Sequence, residues 1–406
     1  MASVPPRSSR RRLRVAVLFG GPSAEREVSL ASGGRVLSAL DPEKYDALPV
    51  EITSEGKWLP RPDLLTLPAP PSVAGAPAVS PPPAGGGAAS PKKTGGTASG
   101  PAEGRASAAV PALAAASHHI DEVVREGDID VVFIALHGPY GEDGTVQGLL
   151  ELLGIPYTGS GVLASALAMD KLRSRQVLQA SGLPVPAWIL LDAAQWPAGR
   201  AELARRVGRD LGYPCVVKPN AQGSSIGVTI AGEESALDAA VEEALGYGNV
   251  VLIEEYLRGI ELTCGILEDP DTGVPQVLPV IEIVPKREFF TYEAKYQGAS
   301  EEICPARIPG AAAAKARDLA LRAHQVLGCE GFSRVDLFLC GTDVVVLEVN
   351  TIPGLTEGSL IPLAAHAAGI EYPELLNRMI AAALRRDRAR RRIGPAGGHD
   401  RRTGGA

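Results

Sequence analysis

Aromatic residues make up only 4% of this 406-residue chain, and histidine occurs only 6 times. The core must therefore be filled by aliphatic side chains and alanine, which a hydrophobic content of 45% can supply. Positive charge is not in excess either. The formal net charge is −7, which argues against a nucleic-acid-binding protein. No long hydrophobic run is present, so no transmembrane segment or membrane insertion is expected. The longest early apolar stretch, Val15–Phe19, runs straight into Gly20 and Gly21. It is too short for a signal peptide, and for the same reason Arg10–Arg12 before it do not make an export signal. The 5 cysteines are scattered, odd in number and without a C-x-x-C pair. They read as reduced thiols of a cytoplasmic protein.

Small residues are abundant. From Pro68 to Ala116 the chain is almost entirely Pro, Ala, Gly, Ser and Thr. Such a segment cannot bury enough apolar surface to offset the entropy of ordering it, and is expected to be a disordered insertion. Around it, strands and helices alternate. Arg14–Phe19 reads as a buried strand, Glu25–Leu40 as a helix and Tyr45–Ile52 as a second strand, the opening of a parallel sheet. A helix near Ser117–Arg125, a strand at Asp130–Leu136 and helices at Gly144–Leu153 and Val162–Ser181 follow. Strands at Trp188–Leu191, Cys215–Pro219, Val228–Ile230 and Val250–Glu254, with a helix at Glu233–Tyr247, make a small α/β unit. In the last third, strands at Glu261–Leu267, Val277–Val284, Arg334–Cys340 and Val344–Glu348 accompany helices at Gly310–Leu327 and Tyr372–Arg388. The basic stretch Arg385–Arg392 reads as a solvated tail.

Four stretches carry chemistry. In Val216–Val228 a lysine, Lys218, ends an apolar strand and precedes a loop of small residues. Backbone N–H groups of such a loop can cradle phosphate oxygens while the lysine supplies charge. An ordinary hairpin with a strand-end lysine fits the same pattern. Strand alternation puts Arg334 and Asp336 on one face, and Glu348 and Asn350 on one face of the next strand. Asp336, Glu348 and Asn350 are hard oxygen donors of the kind Mg²⁺ takes together with nucleotide phosphates; a solvated sheet face is the alternative. His137–Gly144 is a polar, glycine-rich loop at the carboxyl end of a strand, where open parallel sheets bind ligands, and Gly20–Glu25 is the equivalent loop after the first strand. Tyr292–Tyr296 lies inside a long irregular stretch, 285–305, whose charged and aromatic centre suits a lid.

The stretches GGPSAEREVSLASG, ALHGPYGEDGTVQGLLELLGIPYTGSGVLASALAMDK, VVKPNAQGSSIGV, VLIEEYLRGIELT, TYEAKY, SRVDLF and LEVNTIPGLTEGSL resemble, in order, the motifs of the D-alanine–D-alanine ligase family of ATP-grasp enzymes. The resemblance implies an α/β fold of three domains. A Rossmann-like parallel-sheet domain would span 13–159 with the insertion 68–116 inside it. A central ATP-grasp subdomain would span 160–253, and a C-terminal one 254–386 with the lid 285–305; a disordered basic tail would span 387–406. It also implies ATP and two Mg²⁺, with Mn²⁺ as a substitute, and a homodimer.

Residue by residue, the resemblance gives Lys171, Lys218, Ser224 and Ser225 to the ATP phosphates. Glu254, Tyr256, Leu257 and Glu261 go to adenine and ribose, and Asp336, Glu348 and Asn350 to the metals. Glu25 would bind the ammonium of the first D-alanine, with His137 beside it. Lys295, Ser359 and Leu360 would serve the γ-phosphate and the second substrate's carboxylate. Arg334 and the Gly354 N–H would hold an oxyanion, and Tyr296 would reach from the lid to Glu25 and Ser224. The implied activity is ATP-dependent joining of two D-alanines through a D-alanyl phosphate, for peptidoglycan precursors. Rival readings are ligases that take D-lactate or D-serine second, against which Tyr296 in EAKY speaks, and a non-catalytic ATP-binding scaffold, against which Arg334, Glu348 and Asn350 speak.

Overall fold

Leu13–Gly20 forms the first strand, β1, in which Val15 to Phe19 are all buried. A strand apolar at every position must be covered on both faces, as in a parallel sheet. The computed structural model, which describes residues 11–65, 129–285 and 300–393, gives it that setting. β1 pairs in parallel with β2 (Tyr45–Ile52) on one side and β4 (Val131–Ile134) on the other, and β3 (Trp58–Pro60) adds an antiparallel edge. Helix α1 (Arg26–Ala39) links β1 to β2, and α2 (Thr145–Leu153) follows β4. The chain leaves β1 for β2 and then returns to the far side of β1. The loops after β1 and β4 therefore part and leave a crevice at the carboxyl ends of the strands. The insertion 68–116, the helix expected near Ser117–Arg125, and Lys295 and Tyr296 lie outside the described residues.

The single helix expected over Val162–Ser181 is two, α3 (Val162–Met169) and α4 (Lys171–Ala180). Asp170 between them is extended, and its side chain accepts from the Arg173 N–H, so it caps α4 and ends the continuous periodicity. Four strands then form an antiparallel sheet: β5 (Trp188–Asp192), β6 (Cys215–Pro219), β7 (Thr229–Ala231) and β8 (Val250–Glu255), in the order β5-β8-β6-β7. Helices α5 (Trp196–Asp210) and α6 (Glu234–Leu245) cover the face of Ile189, Val217, Val251 and Ile253. The other face carries Lys218 and Glu254. A boundary at 253/254 falls inside β8, so this unit runs to Glu255.

The third sheet holds β9 (Ile260–Glu268), β10 (Pro275–Val277), β11 (Ile281–Pro285), β12 (Ser300–Ile303), β13 (Phe332–Cys340) and β14 (Asp343–Asn350). The strand expected over Val277–Val284 is split into β10 and β11 because Pro279, without an N–H, cannot donate to the ladder. Helix α7 (Gly310–Val326) packs Ala316, Leu319, Ala320 and Ala323 against Val335, Leu337, Val344, Val346 and Val349. Two more helices, α8 (Leu360–Ala367) and α9 (Tyr372–Ile393), close the chain, and α9 lays Leu375, Leu376, Met379, Ile380 and Ala383 on the first sheet's core. The basic tail expected from residue 387 is helical as far as Ile393. Two arginines in or next to it are held: Arg386 donates to the carbonyls of Tyr157 (2.7 Å) and Gly159, and Arg390 pairs with Glu151 at 2.8 Å and Glu330 at 3.7 Å. No helix among the described residues is long and apolar enough to cross a membrane.

His324 on α7 is buried, its Nδ1 2.8 Å from the Ser333 hydroxyl, and burial pushes its pKa down to about 4. The unfolded chain takes up a proton there from pH 6.5 downward, whereas the folded chain resists until about 4. Stability is complete above that window and is lost within it at up to about 1.4 kcal/mol per pH unit from this one group. His324→Gln is expected to flatten the acid limb of urea midpoints plotted against pH. An unchanged limb would show that other groups set it.

Candidate active site

The crevice between β1 and β4 is occupied by Glu25, 7% exposed. Two glycines make room for its carboxylate. A β-carbon on Gly138, in the loop after β4, would come within 2.5 Å of Glu25 Oε2, and one on Gly223, in the loop after β6, within 2.6 Å. The Ser224 hydroxyl donates to Glu25 Oε1. Ser224 and Ser225 both have left-handed backbones, φ 49° and 59°, which are costly for non-glycine residues and mark a constrained loop. Burial first, and then the neighbouring Glu142 carboxylate, push the Glu25 carboxyl above its ordinary range, against the downward pull of Ser224, His137 and Lys171.

His137 is buried behind Glu25's loop. Its Nδ1 lies 3.1 Å from the Ile352 carbonyl and its Nε2 3.0 Å from the Ser32 hydroxyl on α1. With a proton on Nδ1 and none on Nε2, both bonds form, and the ring ties the first sheet to the segment after β14. Glu142, which the sequence reading passed over, approaches His137 at 3.4 Å.

Lys171 opens α4, and its ammonium donates to the Gln222 carbonyl at 2.7 Å and faces Glu348 at 3.4 Å. Asn220 fixes this arrangement: its carbonyl and side-chain oxygens accept the N–H groups of Lys171 and Leu172. The small-residue loop is thereby fastened to the helix start. A cavity between the sheets is lined by Glu142, Lys171, Gln222, Gly223, Glu348 and Asn350, so residues from all three sheet units meet there.

Lys218 and Glu254 share the open face of the second sheet, 2.7 Å apart. The second Glu254 oxygen accepts from Arg175 on α4, which is 2% exposed and also reaches the Val346 carbonyl of β14 at 3.4 Å. The Glu254 side chain is thus the counter-ion of two buried cations. Burial pulls the Lys218 ammonium below its ordinary pKa, and Glu254 opposes that shift. Arg175 carried no signal in the sequence; it sits in an ordinary polar helix, LRSRQ. Tyr256 and Leu257 lie in the connection from β8 to β9, and Glu261 stands two residues before Thr263 on the same face of β9.

On the third sheet, Asp336 is paired with Glu348 and Arg334 with Asn350 across β13 and β14. The register slips between Asp336 and Leu337, leaving Leu347 without a partner in the ladder. That bulge matters. Val344 and Val346 face the core, so strict alternation would put Glu348 there as well; the extra residue turns Glu348 and Asn350 onto the face of Asp336. Arg334 grips both Asp336 oxygens at 2.8 Å, while Thr263 donates at 2.7 Å and Asn350 at 3.0 Å. Among the described residues no cluster of three His, Cys, Asp or Glu side chains could hold a metal by itself. Two carboxylates and an amide fit Mg²⁺, which binds through one or two carboxylates and completes its shell with phosphates and water.

Ser359 precedes α8 and forms a second cluster. Its hydroxyl lies 2.8 Å from that of Thr356, and a β-carbon on Gly354 would meet it at 2.8 Å. Leu360 turns its side chain to the first sheet's core.

Two family models match, D-ala D-ala ligase N-terminus over residues 14–160 and D-ala D-ala ligase C-terminus over residues 177–381. A D-alanine–D-alanine ligase of Desulforudis audaxviator is 41% identical over 92% of this chain and 99% of its own length. One of Kineococcus radiotolerans is 41% identical over 93% of this chain and 98% of its own. Among solved structures, D-alanine–D-alanine ligase from Bacillus anthracis superposes with a TM-score of 0.67 at 31% identity, covering 93% of this chain and 99% of that one. The VanG D-Ala:D-Ser ligase of Enterococcus faecalis gives 0.68 at 29% identity, covering 92% and 100%. With a Rossmann-like sheet, two further sheets facing across Arg175 and these matches along nearly its whole length, the chain belongs to the D-alanine–D-alanine ligase family of ATP-grasp enzymes.

Proposed function

We propose that this enzyme joins two D-alanines to D-alanyl-D-alanine for peptidoglycan precursors, using ATP and releasing ADP and phosphate. The observation that carries the reading is the meeting of Glu142, Lys171, Gly223, Glu348 and Asn350, from three sheet units, around one cavity, with the charges of Glu25 and Lys218 both felt at Lys171. A carboxylate is a poor acyl donor, so the first D-alanine's carboxylate attacks the γ-phosphorus and becomes an acyl phosphate. The amine of the second D-alanine then attacks the carbonyl, and phosphate leaves. Glu25 holds the first substrate's ammonium. Lys171, Lys218 and the backbone of Ser224 and Ser225 hold phosphate oxygens, while Tyr256, Leu257 and Glu261 edge the nucleotide. Asp336, Glu348 and Asn350 would hold Mg²⁺, which supplies charge neutralisation for phosphoryl transfer. Arg334 and the Gly354 N–H stabilise the oxyanion of the acyl transfer. Ser359 and the backbone at Leu360, at the start of α8, take the second carboxylate. The roles of Lys295 and Tyr296 follow from the family motif.

Three domains, divided near residues 160 and 255, a cytoplasmic location and a homodimer belong to the same reading; analytical sedimentation tests the dimer. The direct assay is purified protein with ATP, Mg²⁺ and D-alanine, scored for dipeptide, with D-serine and D-lactate offered as second substrates. No dipeptide from D-alanine would overturn the assignment.

The position of the Glu25 pKa adds a pH prediction. Because burial raises its pKa, Glu25 loses its charge at a higher pH than an ordinary carboxylate does, and with it the ammonium site. The KM for the first D-alanine is expected to climb as pH falls through that pKa. Glu25→Gln should raise this KM about 10- to 100-fold, the worth of a hydrogen bond to a charged group, and abolish its acid dependence. A pH-independent KM in the unaltered enzyme would remove Glu25 from the ammonium site.

A further inference from the structure

Gly354 lies between two buried residues whose side chains enter opposite faces of the first sheet. Ile352 packs with Ala16, Leu18 and Ile134; Leu355 packs with Val15, Val17 and Phe19. The backbone is pinned at both places. The Ile352 carbonyl lies 3.1 Å from His137 Nδ1. The Leu355 N–H donates to the Ser32 hydroxyl at 3.3 Å. Its carbonyl accepts from Arg35 Nη1 at 3.1 Å and from the Tyr372 hydroxyl at 2.9 Å. The Arg35 guanidinium carbon in turn lies over the Tyr372 ring, 3.8 Å from its centroid. One donor comes from α1 and the other from the first residue of α9.

We propose that Arg35 and Tyr372 are positioning residues for the acyl-transfer step: by clamping the Leu355 carbonyl they fix the aim of the Gly354 N–H at the oxyanion. The inference rests on the ligase reading given above. An oxyanion donor works only where it points at the position the oxygen takes in the tetrahedral state. A glycine flanked by unpinned residues has wide backbone freedom, and small misplacement of a catalytic group costs rate steeply. The oxyanion arises when the second amine adds to the acyl phosphate and not when the carboxylate is phosphorylated. Loosening the clamp therefore slows the second step alone. The acyl phosphate then waits longer, and water, attacking its carbonyl, returns D-alanine and phosphate without dipeptide.

The test compares Tyr372→Phe, Arg35→Lys and their combination with the unaltered enzyme and with Tyr45→Phe. Tyr45 donates to Asn377 of α9 at 2.9 Å, a bond of the same kind between the first sheet unit and α9 that does not touch the Leu355 carbonyl. Phosphate and dipeptide are measured in the same reaction, with melting temperature and the KM for ATP alongside. The double variant is expected to lose about tenfold in dipeptide turnover, less than deletion of an oxyanion donor because Gly354 keeps its N–H. It should keep its KM for ATP and release more phosphate per dipeptide, and hydroxylamine should trap more D-alanyl hydroxamate from it. Tyr45→Phe should keep the unaltered ratio. A phosphate-to-dipeptide ratio equal to that of the unaltered enzyme in the double variant would overturn the positioning role, whatever its stability. Failure of the unaltered enzyme to make dipeptide would instead overturn the ligase reading.

Discussion

Arg334→Lys is expected to lower turnover by about 10²–10³-fold, the usual cost of removing an oxyanion donor. The guanidinium reaches both oxygens of Asp336 at 2.8 Å through Nε and Nη2, so the fork is already oriented before substrate arrives. Lysine keeps the charge but not the planar pair of donors, and its ammonium is a point charge on a flexible stem. It cannot hold Asp336 with one edge and face the reacting carbonyl with another. The loss should fall on turnover, with the KM for ATP and the melting temperature little changed, because Thr263 and Asn350 still donate to Asp336. Steady-state kinetics of the variant decide this. Near-normal turnover would take Arg334 out of the catalytic machinery and leave it a partner of Asp336 alone.

Glu254→Gln should bring the largest loss of stability. Glu254 balances Lys218 on one oxygen and Arg175 on the other, and all three side chains are nearly shut off from water. Taking away the one anion leaves two cations in a low-dielectric setting, and breaking a buried pair in this way costs roughly 3–5 kcal/mol. A protein of this size should then melt on the order of 10 °C lower. Lys218 loses the larger of the two carboxylate influences that oppose its desolvation, leaving Glu348, so its pKa falls further and the KM for ATP rises. Nucleotide phosphates supply negative charge of their own, and ATP should restore more stability to the variant than to the unaltered protein. Calorimetry with and without ATP measures both effects. An unchanged melting temperature would mean that water reaches the triad freely.

The sequence was most readable where one period runs unbroken. The expected strand at Tyr45–Ile52 has those bounds in the structure, because charged turns bound it and Tyr45, Pro49, Val50 and Ile52 are buried. Asp170 shows the opposite case. Apolar spacing continues across it, and only its capping of Arg173 ends one helix and starts another. The metal face was legible as residue types, but the bulge at Leu347 that turns Glu348 outward was not, since alternation alone would have buried it. Arg175 and the clamp on Leu355 were invisible for a common reason. Each depends on which residues far apart in the chain come together, and a lone arginine on a polar helix carries no mark of that. Arg388, Arg390 and Arg391 of α9 are exposed as expected, but Arg386 was misread, because a run of like charge suits solvent unless acceptors such as Glu330 converge on it.

The packing of α9 on β1 also bears on the order in which the protein can be made. Val15, Val17 and Phe19 share a core with Leu375 to Ala383, so β1 waits for α9, which is made much later. Until then α1, through Val36 and the Leu40 that ends it, covers only part of that face of the parallel sheet, and the remainder is exposed to neighbouring chains. Contacts of such long sequence separation slow folding, since the entropy of closing the loop is lost before the contacts form. Because β1 and α9 meet in one core, a permuted chain that begins with α9 and leads through a linker into β1 would bring both halves of that core out first.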